Sequence, residues 1–227
     1  MKLNYDAGAL HEQYATAEPF PHIVLDGLFD DTALEEVLVA FPSREAMQWR
    51  EFDNPLEKKL GFYHETSRVP PAVTAFLDAM NSWPMLLWLE ALTGIGGLIG
   101  DPYFGGGGIH QIEAGGFLKV HADFNVHPKL KLDRRLNMLI YLNKDWPDEY
   151  GGHLELWDAT MSACRKRVLP RFNRTVIFST SDTSYHGHPH PLTCPPGRSR
   201  KSVSLYYYTA GRPESERSAP HDTLFMG

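Results

Sequence analysis

From Ile109 onward the chain is written as short apolar runs, IHQIE, FLKVHADF, LNMLIYL, HLELW, TVIFST and SVSLYYYT, separated by turns rich in Gly and Pro. Each run has the length of a strand and is crowded with β-branched or aromatic side chains, which suit a pleated, half-buried surface better than a helix. Six such runs in succession predict a sandwich or jelly roll. Gly105 to Gly108 precede the first run, but no helix carrying Lys-Ser/Thr follows them, so they read as a flexible turn and not as a phosphate loop.

The front of the chain reads as support for that β unit. FPHIVLDGLF is a short strand, after which Thr32 and Glu35 make a capping box for a helix that buries Leu34, Val37, Leu38 and Phe41. A second helix begins near Pro70-Pro71 with Val73, Phe76, Leu77 and Met80 on one stripe, and a third runs from Ser82 to Thr93-Gly94. At 227 residues and 42% hydrophobic the chain is expected to form one globular unit. Residues 1–104 would supply a strand and helices, 105–212 the β core, and 213–227 a loose polar tail.

A formal charge of −6 without a basic stripe argues against nucleic acid or an anionic membrane as partner. No stretch approaches the ~18 to 20 apolar residues of a membrane span, and MKLNYDAGALHEQY lacks the apolar core of a signal peptide, so a cytoplasmic protein is expected. Cys164 and Cys194 form neither a metal-type pair nor a disulfide framework, in keeping with a reducing compartment.

The chemistry starts at His121-Ala122-Asp123, because residues i and i+2 of an extended strand project from one face and can grip one ion. The pattern is common by chance and gains weight only from a third ligand. His186 and His188, on the turn leaving TVIFST, are the two candidates. Two imidazoles and one carboxylate on one face of an octahedral ion leave three positions open, the arrangement of non-haem Fe(II) oxygenases. Such an iron needs a second reactant to supply electrons for O2, and 2-oxoglutarate is a dianion whose far carboxylate must be held inside the fold. Alternation places Arg200 and Ser202 on one face of their strand, and a planar guanidinium beside a hydroxyl suits a carboxylate. Arg198 stays open as the alternative anchor. In LNMLIYLN the same alternation groups Asn137, Leu139 and Tyr141, making Tyr141 a second donor. His11, His22, His64, His110, His127 and His221 read as ordinary packing or surface histidines.

Taken in order, GGFLKVHAD, LNMLIYLNKDW, Gly151-Gly152 before HLELW, SYHGH and RKSVSLYYY resemble the prolyl-4-hydroxylase-like branch of the 2-oxoglutarate/Fe(II) dioxygenases, over about Gly108 to Thr209. The resemblance implies a double-stranded β-helix with N-terminal supporting helices. It further implies iron at His121, Asp123 and His186, and 2-oxoglutarate held by Arg200 and Tyr141 with Ser202, Asn137 and Gln111 as further contacts. O2 would be the co-reactant and ascorbate a stimulant. The loop between His186 and Arg200 is longer than the family's and holds Pro189, Pro191, Pro195 and Pro196. The implied reaction is hydroxylation of an unactivated carbon, in a prolyl residue, a free amino acid or another small metabolite, with oxoglutarate converted to succinate and CO2. Two rivals come from other classes: a cupin-like metal sensor that keeps the ligands without turnover, and a zinc hydrolase, which would need a general base but no oxoglutarate anchor.

Overall fold

The computed structural model describes residues 2–62 and 69–226. Four helices, α1 (Ala7–Ala15), α2 (Asp31–Val39), α3 (Pro71–Met80) and α4 (Trp83–Thr93), accompany the strands. α3 opens on Pro71, whose missing N–H costs nothing in a first turn, and α4 stops at Gly94, which takes the left-handed φ of 72° that a side chain would resist. The cap of α2 lies two residues before the expected Thr32: the Asp30 carboxylate accepts from the Ala33 backbone N–H.

Among the described residues thirteen strands form one antiparallel system. In chain order they are β1 (His22–Asp26), β2 (Arg50–Asp53), β3 (Glu57–Gly61), β4 (Ile99–Gly100), β5 (Gly108–Glu113), β6 (Phe117–Ala122), β7 (Asp133–Tyr141), β8 (Leu154–Trp157), β9 (Cys164–Val168), β10 (Arg174–Ser179), β11 (His186–His188), β12 (Ser199–Thr209) and β13 (Leu224–Phe225). The main path runs β1-β10-β7-β12-β5-β3-β6-β11-β8-β9. It folds over itself as a jelly roll, the double-stranded β-helix, with β1-β10-β7-β12-β5 as one wall and β6-β11-β8-β9 as the other.

The two faces of the larger wall have opposite tasks. Leu136, Met138 and Ile140 of β7, Ile177 of β10, and Val203, Leu205 and Tyr207 of β12 point outward into the main hydrophobic core beneath α1–α4. The intervening Asn137, Leu139, Tyr141, Arg200, Ser202 and Ser204 line the interior cavity. Strand alternation thus gives the core to one face and the polar chemistry to the other.

Two expectations need correction. The segment before residue 105 contributes more to the β unit than one strand, because β3 pairs with β5 through Leu60 and Gly61 and with β6 through Glu57 and Lys58. Residues 213–227 are polar but not loose. Asn125 bonds Ser218, Ala219 and His221 at 2.9 Å, His221 meets Asp182 at 3.0 Å, and Leu224 and Phe225 pair with Ala122 and His121 as β13 on β6. Backbone donors along the free edge of β6 supply what side-chain hydrophobicity does not.

Candidate functional site

The end of β6 and the start of β11 lie side by side, with His186 directly paired to His121. Gly187 permits the approach, since a Cβ there would stand 2.9 Å from the carbonyl oxygens of Leu118 and Lys119. Ligand atoms of His121, Asp123 and His186 all fall within 4.8 Å of one another. The Asp123 carboxylate is 3.7 Å from His121 Nε2 and 3.5 Å from His186 Nε2. In each histidine Nδ1 faces a backbone carbonyl, that of Lys119 at 2.8 Å and that of Ser184 at 2.9 Å. Such a bond places the proton on Nδ1 and leaves both Nε2 lone pairs directed at the carboxylate, as a metal requires.

The charge states agree with this. Burial pushes the His121 imidazole down to about 3, with His186 adding to the effect, and burial also lowers His186. Burial would raise Asp123, yet Arg134, the two histidines and Asn137 hold it at about 2. Two neutral imidazoles beside a carboxylate anion form a ligand set needing no further deprotonation.

Arg134 and Asn137 form the collar around Asp123. Asn137 donates to Asp123 Oδ2 at 2.7 Å, and its own carbonyl oxygen accepts from Arg134 Nε and Nη2 at 3.0 and 2.7 Å. The guanidinium lies 3.1 Å from the same Oδ2 and 3.5 Å above the Tyr206 ring. Asn137, expected as an oxoglutarate contact, lines the cavity and supports the Asp123 carboxylate. Arg134 escaped the sequence reading because a bulge in the β7–β12 pairing leaves Arg135 without an opposite residue and puts Arg134 on the face that strict alternation denies it.

The far end of the cavity holds Arg200, Tyr141 and Ser202. Arg200 is 4% exposed, donates from Nε to the Gly152 carbonyl at 2.9 Å and from Nη2 to the Tyr141 hydroxyl at 3.3 Å. No acidic side chain among the described residues neutralises it, and burial lowers its pKa. Burial likewise raises the Tyr141 phenol, which keeps its proton as a donor. Gly152 matters here: its φ is +72°, and a Cβ would meet Leu192 at 2.5 Å and Arg200 at 2.9 Å. Arg198 is elsewhere, bonded to the Lys144 and Asp145 carbonyls at the surface.

Gln111 is displaced from the site altogether. On β5, His110 and Ile112 face the cavity, whereas Gln111 borders an outer hollow with Glu113 and Lys201. His188 also lines the cavity, and the ring nitrogens of His188 and Nδ1 of His110 are buried without hydrogen-bond partners among the described residues. His110 is thus not the packing residue expected, while His127, whose Nδ1 accepts from Lys129 and Leu130, is one. His64 lies outside the described residues. The cavity is also lined by Glu57, Lys59, Phe124, Arg134, Tyr206, Thr223 and Phe225, of which the sequence pointed to none. Among the described residues no helix is long and apolar enough to cross a membrane, and both cysteines are free.

Residues 107–208 match the sequence model of the 2OG-Fe(II) oxygenase superfamily. No curated protein matches the whole sequence significantly. Among solved structures, a Pseudomonas putida prolyl-4-hydroxylase superposes with a TM-score of 0.66 at 16% identity, over 90% of this chain and 100% of that one. A Trichoplax adhaerens prolyl hydroxylase, in complex with a peptide fragment of the hypoxia inducible factor oxygen degradation domain, gives 0.63 at 15% identity over 88% of both chains. HygX from Streptomyces hygroscopicus, with nickel, 2-oxoglutarate and hygromycin B bound, gives 0.59 at 13% identity over 94% of this chain and 96% of that one. Residues 107–208 thus carry the signature of the 2OG-Fe(II) oxygenase superfamily, on the double-stranded β-helix fold that the chain shares with prolyl-4-hydroxylase structures. The protein is a 2-oxoglutarate- and Fe(II)-dependent dioxygenase.

Proposed function

We propose that the chain hydroxylates an unactivated carbon, with His121, Asp123 and His186 holding Fe(II) and with Arg200, Tyr141 and Ser202 receiving the far carboxylate of 2-oxoglutarate. The observation that carries the reading is Arg200, a buried guanidinium without an acidic partner among the described residues, in the cavity whose other part holds the His/Asp/His cluster. A buried unpaired cation is costly, and a dianionic ligand relieves it. Nothing in a simple metal sensor or a zinc hydrolase calls for that arginine. When bound, Fe(II) and 2-oxoglutarate supply the oxidising chemistry, in which O2 is consumed, oxoglutarate leaves as succinate and CO2, and one oxygen atom enters a C–H bond of the substrate.

The chain's own residues supply placement. The Nδ1–H bonds to Lys119 and Ser184 fix both imidazole planes, and Asn137 with Arg134 pins Asp123 Oδ2, leaving Oδ1 the less committed oxygen. Ile112, Leu118, Leu139 and Leu154 wall the cavity and exclude water around the reacting centre. The substrate is expected to be a peptide or a small molecule. The neighbouring structures named above include one bound to a peptide and one bound to hygromycin B.

The test is Fe(II) content together with oxoglutarate-dependent succinate release from the wild type and Asp123→Ala. Release by the wild type, with iron and release both lost in the variant, is the expected outcome. Iron retained by Asp123→Ala at wild-type stoichiometry would reject the ligand assignment. An iron-loaded wild type that never releases succinate would favour the sensor.

A further inference from the structure

We infer that the substrate is a small zwitterion carrying a free ammonium and a free carboxylate, such as a free amino acid, recognised by Glu57 and Lys59 in a chamber walled by the C-terminal strand. The inference rests on the reading of the site given above and narrows it to one class of molecule.

Glu57 and Lys59 lie two residues apart on β3 and so face the same side, toward the cavity. They pair at 2.8 Å, with side chains only 15% and 17% exposed. Both side chains line the same cavity as His121, Asp123 and His186. An ion pair drawn this far from water gains little net stability over an apolar pair of similar size. Its value here is that each member keeps bonding capacity: the ammonium has further N–H donors and the carboxylate a second oxygen. A zwitterion entering between them exchanges one internal pair for two, its carboxylate on Lys59 and its ammonium on Glu57, with no net change in buried charge. Nδ1 of His110 and both ring nitrogens of His188, buried in the same cavity without a hydrogen-bond partner among the described residues, add polar atoms that a charged ligand can use.

The size limit comes from the tail. β13 occupies the edge of β6 that an extended peptide would otherwise use, with Leu224 opposite Ala122 and Phe225 opposite His121. Met226 N–H continues the pairing to the Val120 carbonyl at 2.9 Å, and the Phe225 ring stands 5.4 Å from that of His121. Thr223 and Phe225 thereby wall the chamber next to the metal-bearing strand. The chain itself fills these backbone positions on β6, so this strand edge offers no pairing to a peptide, while Glu57 and Lys59 on β3 present their charged pair to the cavity.

The experiment uses the full chain loaded with Fe(II) and oxoglutarate. Succinate release and product mass are followed with each proteinogenic amino acid, its N-acetyl and amide derivatives, and proline-containing peptides. In parallel, calorimetric binding of oxoglutarate and then of the amino acids is measured on the Ni(II)-loaded protein. A free amino acid should stimulate release and gain oxygen, and blocking either charged end should weaken its binding by about tenfold or more. Glu57→Gln should narrow the gap between the free and N-acetyl forms, and Lys59→Met the gap between the free and amide forms. Oxoglutarate binding with stimulation by peptides or uncharged compounds, or by none of the amino acids, overturns the inference while leaving the oxygenase reading intact. Failure to bind oxoglutarate at all overturns both. Equal effects of the two substitutions on free and blocked forms would show the pair to be structural.

Discussion

Arg200→Met should move stability and ligand binding in opposite directions. In the unliganded protein the guanidinium is buried, and among the described residues it bonds to the Gly152 carbonyl and the Tyr141 hydroxyl and meets no carboxylate. Methionine fills a similar volume without a charge to desolvate. Replacing buried ionic groups by apolar ones of like size is neutral or stabilising by about 1 to 4 kcal/mol, so unfolding of the unliganded variant should occur at an unchanged or higher temperature, by about 2 to 4 °C per kcal/mol for a chain of this size. Oxoglutarate binding should suffer the reverse. A carboxylate left in the cavity without its charged partner costs about 2 to 5 kcal/mol, which at about 1.4 kcal/mol per factor of ten is a loss of roughly 30-fold to several thousand-fold in affinity. Differential scanning fluorimetry of the unliganded protein, with calorimetric titration of oxoglutarate into the Ni(II)-loaded form, reads both signs. A variant that melts several degrees lower and binds oxoglutarate normally would show that Arg200 is a structural residue and would remove the main support for the cosubstrate site. Arg198→Met should leave oxoglutarate affinity near the wild-type value, because Arg198 sits on surface carbonyls.

Gly152→Ala should weaken oxoglutarate binding without touching a ligand: the added methyl meets Arg200 at 2.9 Å and Leu192 at 2.5 Å, and the φ of +72° adds strain. Normal affinity in that variant, measured by the same titration, would mean that the Arg200 position is not set by the Gly151-Gly152 turn. The tail should loosen as pH rises. Burial lowers the His221 pKa, but its bonds to Asp222 and Asp182 outweigh that and leave it raised above the usual 6.5, while Asp182 is lowered. The histidine's contribution is thus complete below the unfolded value near 6.5 and is lost as pH climbs through the higher folded value, with Asp182 guarding the acid side. Hydrogen exchange of residues 221–226 should be slower at pH 6 than at pH 8.5 after correction for intrinsic rates; the opposite order would dissociate His221 from docking of the tail.

Much of this architecture can be read from residues alone, and the parts that cannot share a cause. Period-two alternation within a strand is local, so His121 with Asp123, Arg200 with Ser202, and Leu139 with Tyr141 share cavity faces as alternation requires. It fails where the period breaks, as at the bulge that turns Arg134 inward. It also fails where a single strand offers two parities, as at His110 and Gln111, since both are buried and only the partner strands decide which one faces the cavity. Glu57, Lys59 and the tail were hidden for another reason. REFD and EKKLG are too polar to announce strands, and HDTLF is too short; each gains its order from backbone pairing with a strand distant in sequence.

The position of β3 has a consequence for what counts as a unit of folding. β3 is the seam between the two walls, bonded at one end to the strand beside Arg200 and at the other to the strand that carries His121. The stretch 107–208 that carries the family signature lacks it. Excised on its own, that stretch would expose the facing edges of β5 and β6 as open templates for another chain, the condition under which β proteins aggregate. During synthesis β3 emerges together with its hairpin partner β2 but before β5 and β6, and its other edge stays open until both have been made, so the barrel closes late and through contacts distant along the chain. The family signature therefore outlines a stretch that lacks the strand joining the two walls of its own barrel.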